Sequence, residues 1–83
     1  MTRVTIRYWA AAKAAAGTGI EEYDVETLAE LVRAASDRHG EALSRVLSIC
    51  SFLVDDARLG VSDPRARLSE GARVEALPPF AGG

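Results

Sequence analysis

Thr27-Leu28-Ala29-Glu30-Leu31-Val32-Arg33-Ala34-Ala35-Ser36-Asp37-Arg38-His39-Gly40 is the clearest periodic stretch of this chain. Leu28, Leu31, Val32 and Ala35 recur at helical spacing and make one apolar stripe. Thr27 and Glu30 have the spacing of a capping box, in which each side chain accepts from the other's backbone N–H. Arg33 and Arg38 fall late in the helix, where positive charge suits the dipole. His39-Gly40 predicts the stop, with Gly40 in the left-handed conformation and His39 as a helix-end residue. One long amphipathic helix needs an apolar surface to cover.

The segments on either side supply that surface. Upstream, Tyr23 and Val25 alternate with polar residues across Glu21–Glu26, which predicts a strand. Val4, Ile6 and Tyr8 alternate with Arg3, Thr5, Arg7 and Trp9, a strand with one buried face. Between them, Ala10–Ala16 has helix propensity and little area to bury, and Gly17-Thr18-Gly19 ends it. Downstream, Leu43, Val46, Leu47 and Ile49 predict a further helical turn on the same core. Ser51–Val54 reads as a third strand closed by Asp55-Asp56. Ala57–Arg67 reads as irregular, punctuated by Gly60 and Pro64, and Leu68–Gly71 as a turn. Arg73–Leu77 is a last strand, with Val74 and Ala76 opposite Arg73 and Glu75. The order of strand, strand, helix, strand, strand predicts a two-layer α+β domain with a small mixed sheet.

Eighty-three residues allow one domain with a modest core, and no pocket walled by two domains. A net charge of −2, with nine scattered arginines, argues against nucleic acid as a partner. The single cysteine, Cys50, excludes an internal disulfide and points to a reducing compartment. No apolar run approaches the ~20 residues that span a bilayer, so no membrane partner is expected. Met1–Ile6 lacks the apolar stretch of a signal peptide. The expectation is a cytoplasmic protein.

Past Leu77 the chain cannot continue as an ordinary strand. Pro78 and Pro79 have no N–H and a fixed φ, and the residue before each is pushed toward extended backbone. They predict a stiff spacer projecting from the strand. Phe80 has no evident core to join, and Ala81-Gly82-Gly83 completes a tail that is nearly free of side chains. Such an end can thread a narrow channel and deliver its carboxylate to a buried active site, with Phe80 and the prolines docking outside. A carboxylate is a poor electrophile. Chemistry at Gly83 therefore calls for activation, as by an acyl-adenylate, after which a sulfur nucleophile yields a thiocarboxylate.

The whole pattern resembles the MoaD/ThiS family of ubiquitin-like sulfur carriers, above all the small subunit of molybdopterin synthase. The resemblance rests on Val4-Thr5-Ile6-Arg7-Tyr8-Trp9-Ala10 running to Gly17, on Thr27-Leu28-Ala29-Glu30-Leu31, on Phe52-Leu53-Val54, and most specifically on Leu68–Leu77 followed by Pro78-Pro79 and the diglycine. It implies a β-grasp domain over residues 1–77 and a flexible tail over 78–83. It implies that a ubiquitin-activating-type enzyme consumes ATP to adenylate Gly83, and that a sulfur donor converts the adenylate to a thiocarboxylate. The tail, Pro78, Pro79, Phe80, Ala81 and Gly82, then enters the large subunit of molybdopterin synthase, where sulfur builds the molybdopterin dithiolene. The catalytic side chains belong to that large subunit, and the carrier itself binds no cofactor. Departures from the family pattern are Lys13-Ala14 for an Arg-Glu pair, Asp55 for an Asn, and Phe80 for a smaller aliphatic residue. Alternatives are sulfur carriers for thiamine or cysteine synthesis, and a modifier conjugated to lysines.

The remaining conspicuous residues have plain readings. Cys50 enters an apolar strand and is expected to be packed rather than reactive. Asp55, Asp56 and Asp63 match no calcium loop, and no metal site is expected. Trp9 lies on the strand face opposite Ile6, either as a partner contact or packed on the alanine-rich segment.

Overall fold

The structure is a computed structural model and describes residues 2–79. Its elements in chain order are β1 (Arg3–Tyr8), α1 (Ala10–Ala16), β2 (Ile20–Asp24), α2 (Leu28–His39), α3 (Glu41–Leu47), β3 (Ser51–Val54), β4 (Ala57–Leu59) and β5 (Arg73–Leu77). The five strands form one mixed sheet in the order β2-β1-β5-β3-β4. β1 and β5 are parallel, and every other neighbouring pair is antiparallel.

Alternation along the strands decides which face is covered. Val4, Ile6 and Tyr8 of β1, Val74 and Ala76 of β5, and Phe52 and Val54 of β3 are all buried. They form one cluster with Leu28, Leu31 and Ala35 of α2, Leu43 and Leu47 of α3, and Ala12 and Ala16 of α1. The helices thus cover one sheet face, as the α2 stripe requires. Arg3, Arg7 and Arg73 occupy the other face, which is open.

α2 begins as its sequence predicts. Thr27 Oγ1 accepts from Glu30 N at 3.1 Å, and Glu30 Oε1 accepts from Thr27 N at 3.1 Å and from Glu26 N at 2.9 Å. The Glu30 side chain therefore satisfies two backbone donors and the Thr27 side chain a third. Thr27→Ala removes one of these caps and is expected to lower stability by ~1 kcal/mol. That corresponds to a fall in Tm of roughly 4–8 °C in a domain of this size, measurable by circular dichroism.

Several expectations need correction. Ala57–Leu59 is a strand, not irregular chain. Asp55 and Asp56 both have positive φ, 49° and 73°, the signature of a two-residue hairpin turn of the primed type, whose twist matches the strands it joins. Asp55 is held there by Arg73, whose N donates to Asp55 Oδ1 at 2.9 Å and whose carbonyl accepts from Asp55 N at 2.8 Å. The second strand spans Ile20–Asp24 rather than reaching Glu26. Ile49 is not a core residue: α3 stops at Leu47, and Ile49 is 63% exposed in the turn that follows. Gly40 has positive φ, but with φ 94° and ψ −168° it is extended rather than left-handed helical. That region is nearly exclusive to glycine, and here it joins α2 directly to α3.

Candidate functional site

The tail is rooted in the middle of the sheet. β5 has β1 on one side and β3 on the other, with Tyr8 opposite Ala76 and Ser51 opposite Leu77. Trp9 N donates to Ala76 O at 3.2 Å. Beyond Leu77, Pro78 is half-buried and Pro79 exposed, and neither belongs to a strand. The absence of an N–H on both residues ends the ladder. The predicted spacer therefore leaves a strand held on both edges. The predicted tail residues Phe80, Ala81, Gly82 and Gly83 lie outside the described residues.

Side chains ring this root. Trp9 Nε1 donates to Glu75 Oε1 at 3.0 Å, and the Arg7 guanidinium lies 5.4 Å from the centre of the indole. The ring, 40% exposed, is thereby fixed on the open sheet face by a hydrogen bond and a cation–π contact. On the β3 side, Arg58 Nη2 donates to Ser51 Oγ at 2.9 Å.

A polar cluster that sequence reasoning missed fastens β2 to the rest. Glu21 Oε1 accepts from Tyr8 OH at 2.8 Å, from Tyr23 OH at 2.9 Å and from His39 Nε2 at 2.8 Å. A carboxylate only accepts, so Nε2 carries the imidazole proton. Glu21 Oε2 has Arg38 at 3.5 Å. His39 therefore bonds across to β2 instead of serving merely as a charge at its helix end. Burial opposes ionisation of Glu21, but the bonds from His39, Tyr8 and Tyr23 outweigh it and hold the carboxyl below its ordinary pKa. Burial, reinforced by the bond to Glu21, raises the Tyr8 and Tyr23 phenols.

The pH consequence has a definite sign. The folded pKa of Glu21 lies below the unfolded one, so its contribution is fully present above the unfolded pKa. It is lost as pH falls through the folded pKa. Denaturant unfolding measured from pH 7 downward should show stability declining below about pH 5, and Glu21→Gln should flatten that decline. An equal slope in the variant would assign the acid sensitivity elsewhere.

The other candidates are structural. Cys50 is half-buried against the core, and burial pushes its thiol up to about 11, far from a thiolate at neutral pH. Asp55 and Asp56 make the β3–β4 turn, while Asp63 pairs with Arg65 at 2.8 Å. Among the described residues no group of three or more His, Cys, Asp or Glu side chains is placed to hold a metal ion, and no helix is long and apolar enough to cross a membrane.

Comparison with known proteins agrees with this geometry. The sequence pattern described as the ThiS family matches residues 6–83. No curated protein matches the chain by sequence. Among solved structures, small archaeal modifier protein 1 (SAMP1) from Methanosarcina acetivorans superposes with a TM-score of 0.82 at 19% identity, covering 100% of this chain and 98% of that one. SAMP1 from Haloferax volcanii gives 0.81 at 21% identity, covering 98% and 99%. A chain from the complex of subunits 1 and 2 of the molybdopterin-converting factor of Helicobacter pylori gives 0.70 at 24% identity, covering 99% and 100%. These likenesses bear out the β-grasp expectation. With its sequence matched from residue 6 through residue 83 and its fold that of the ubiquitin-like β-grasp proteins, the chain belongs to the ThiS family.

Proposed function

We propose that this protein carries sulfur as a thiocarboxylate on Gly83 and acts as the small subunit of a molybdopterin synthase. The observation that carries the reading is the root of the tail. The central strand of the sheet ends at Leu77 in two prolines, and the family match continues through residue 83. The Helicobacter pylori complex pairs a fold of this kind with a second subunit, which supports a large-subunit partner here.

In this reading the Gly83 carboxylate attacks the α-phosphorus of ATP in an adenylating enzyme, and pyrophosphate leaves. Hydrosulfide supplied by a sulfur donor then attacks the acyl carbon, AMP leaves with the bonding pair, and loss of the S–H proton gives the thiocarboxylate. The rigid domain contributes position and recognition. Gly82 and Gly83 add no side-chain bulk at the reacting end, and Pro78-Pro79 limit the conformations lost on insertion. Sulfur then passes to a pterin precursor held by the large subunit.

Intact mass spectrometry after incubation with ATP, an adenylating enzyme and a sulfur donor tests the reading. Replacement of one oxygen by sulfur, localised to Gly83, is the expected result. An unchanged mass, with an enzyme shown active on another carrier, would overturn it. The likeness to the archaeal modifiers favours a second reading, conjugation to lysines of other proteins. It predicts isopeptide adducts in the same experiment. Carriage for thiamine or cysteine synthesis shares the first step and differs only in the acceptor that discharges the thiocarboxylate.

A further inference from the structure

The open sheet face gathers cations that the fold leaves unpaired. Strand alternation and register put Arg7 of β1, Arg73 and Leu77 of β5, Leu53 of β3 and Arg58 of β4 on the side away from the helices. Arg7, Arg58 and Arg73 are exposed, and among the described residues none of them forms an ion pair. The acids nearby are engaged elsewhere. Glu22 pairs with Arg3 at 3.0 Å, Glu75 accepts from the Trp9 indole, and Asp55 accepts from the backbone N–H of Arg73. Arg7 and Arg73 line one trough of about 760 Å³, with Thr5 opposite Arg73. Apolar groups stand among these charges. Trp9 is 40% and Ile20 52% exposed, and Leu53 and Leu77 are half-buried yet outside the core cluster.

Composition, span and charge together say what suits this face. Arginine beside exposed aromatic and aliphatic side chains is the make-up of a protein interface rather than of a merely solvated sheet. From β1 through β5 and β3 to β4 is three strand spacings, ~14 Å, wider than one small anion bridges. A guanidinium fork matches a carboxylate in two parallel hydrogen bonds. A phosphate backbone fits less well, because Glu75, Asp55 and Asp56 line the same trough and would repel it. Side-chain carboxylates on a folded partner can each stand over one arginine and clear of those acids.

We propose that the open sheet face docks the acidic surface of a partner protein, with Asp or Glu side chains on Arg7, Arg58 and Arg73 and an apolar side chain over Trp9. The indole is already held by Glu75 and Arg7, so little ordering is left for binding to supply. The arginines steer the encounter and fix its register more than they add affinity, and salt weakens them. Leu77 shares this face, so a partner seated here covers the end of β5.

NMR titration of the full chain with a short synthetic peptide rich in Glu and carrying one Leu tests this, without ATP or sulfur, so it is independent of the carrier reading. The Trp9 indole N–H and the Nε–H signals of Arg7, Arg58 and Arg73 should move together, and high salt should cancel the shifts. Arg58→Gln combined with Arg73→Gln should weaken binding roughly tenfold. Arg33→Gln should leave it unchanged, since Arg33 is an exposed cation of α2, also without an ion pair among the described residues. The substituted side chains lie outside the buried cluster, and unchanged amide spectra before titration would show the fold intact. No shift on the open face, or an equal loss in Arg33→Gln, would overturn the proposal. So would inorganic phosphate binding the same signals as tightly, which makes the face a simple anion site, or a short oligothymidylate binding more tightly than the peptide, which makes nucleic acid the occupant.

Discussion

Deletion of Gly83 should abolish thiocarboxylate formation completely while leaving a cooperative unfolding transition in place. The described core runs from Val4 to Ala76, so the deletion removes none of its side chains. In the proposed carrier role the chemistry, in contrast, depends on one carboxyl group beyond the two prolines. Appending residues after Gly83 should be as damaging, because the reacting carboxyl becomes a peptide carbonyl. Gly82→Val should fall between, permitting adenylation to a reduced extent, since a branched Cβ must pass wherever the glycine passes. Mass spectrometry reads the product, and a melt recorded on the same samples reads the fold. A truncated, folded protein that still acquired sulfur would remove Gly83 from the mechanism.

Leu31→Ala should have the largest effect on stability. Leu31 is fully buried on the α2 stripe, within the cluster that joins α2 to the sheet. Truncating such a side chain removes its transfer free energy and leaves a cavity that the surroundings fill only in part, together ~2–5 kcal/mol. Small domains have roughly 5–15 kcal/mol in all, so the loss is a large share. The expected signature is a lower denaturant midpoint with an unchanged m-value. By comparison Leu77, half-buried at the open end of β5, should tolerate the same truncation far better.

The parts of the fold that were legible in the sequence are those set by neighbours along the chain. The Thr27–Glu30 box requires only a spacing of three, and both of its hydrogen bonds form. The alternation of β1 and the stripe of α2 carry their periods in the residues themselves. β4 was not legible, because Ala57-Arg58-Leu59 is too short to show a period. Its existence depends on a turn in which two aspartates adopt positive φ, where sequence would favour asparagine and glycine. Ile49 continues the helical spacing of Leu43, Val46 and Leu47, but the helix ends before it, and no residue type there marks the stop. The Glu21 cluster had a partial signal. Glu21 shares a strand face with Tyr23 and Val25, an odd place for an acid. Tyr23 sits two residues along the same strand, but Tyr8 and His39 lie in β1 and α2, and only the tertiary fold brings them to it. At the candidate site, Pro78 and Pro79 act as the ladder's end in the way their chemistry demands. The sequence had no means of showing that Trp9 is held by Glu75, a residue on a parallel strand 66 positions away.

The placing of β5 between β1 and β3 has a mechanical consequence. A pull on Pro78 is transmitted along the axis of β5, and the strand's hydrogen bonds to both neighbours lie across that axis. The two ladders are therefore loaded in shear, with their bonds sharing the force, whereas an edge strand pulled sideways would give way one bond at a time. A partner that grips the tail and later lets it be withdrawn can load the domain through its strongest direction. The domain can be extracted whole, with its last strand still seated.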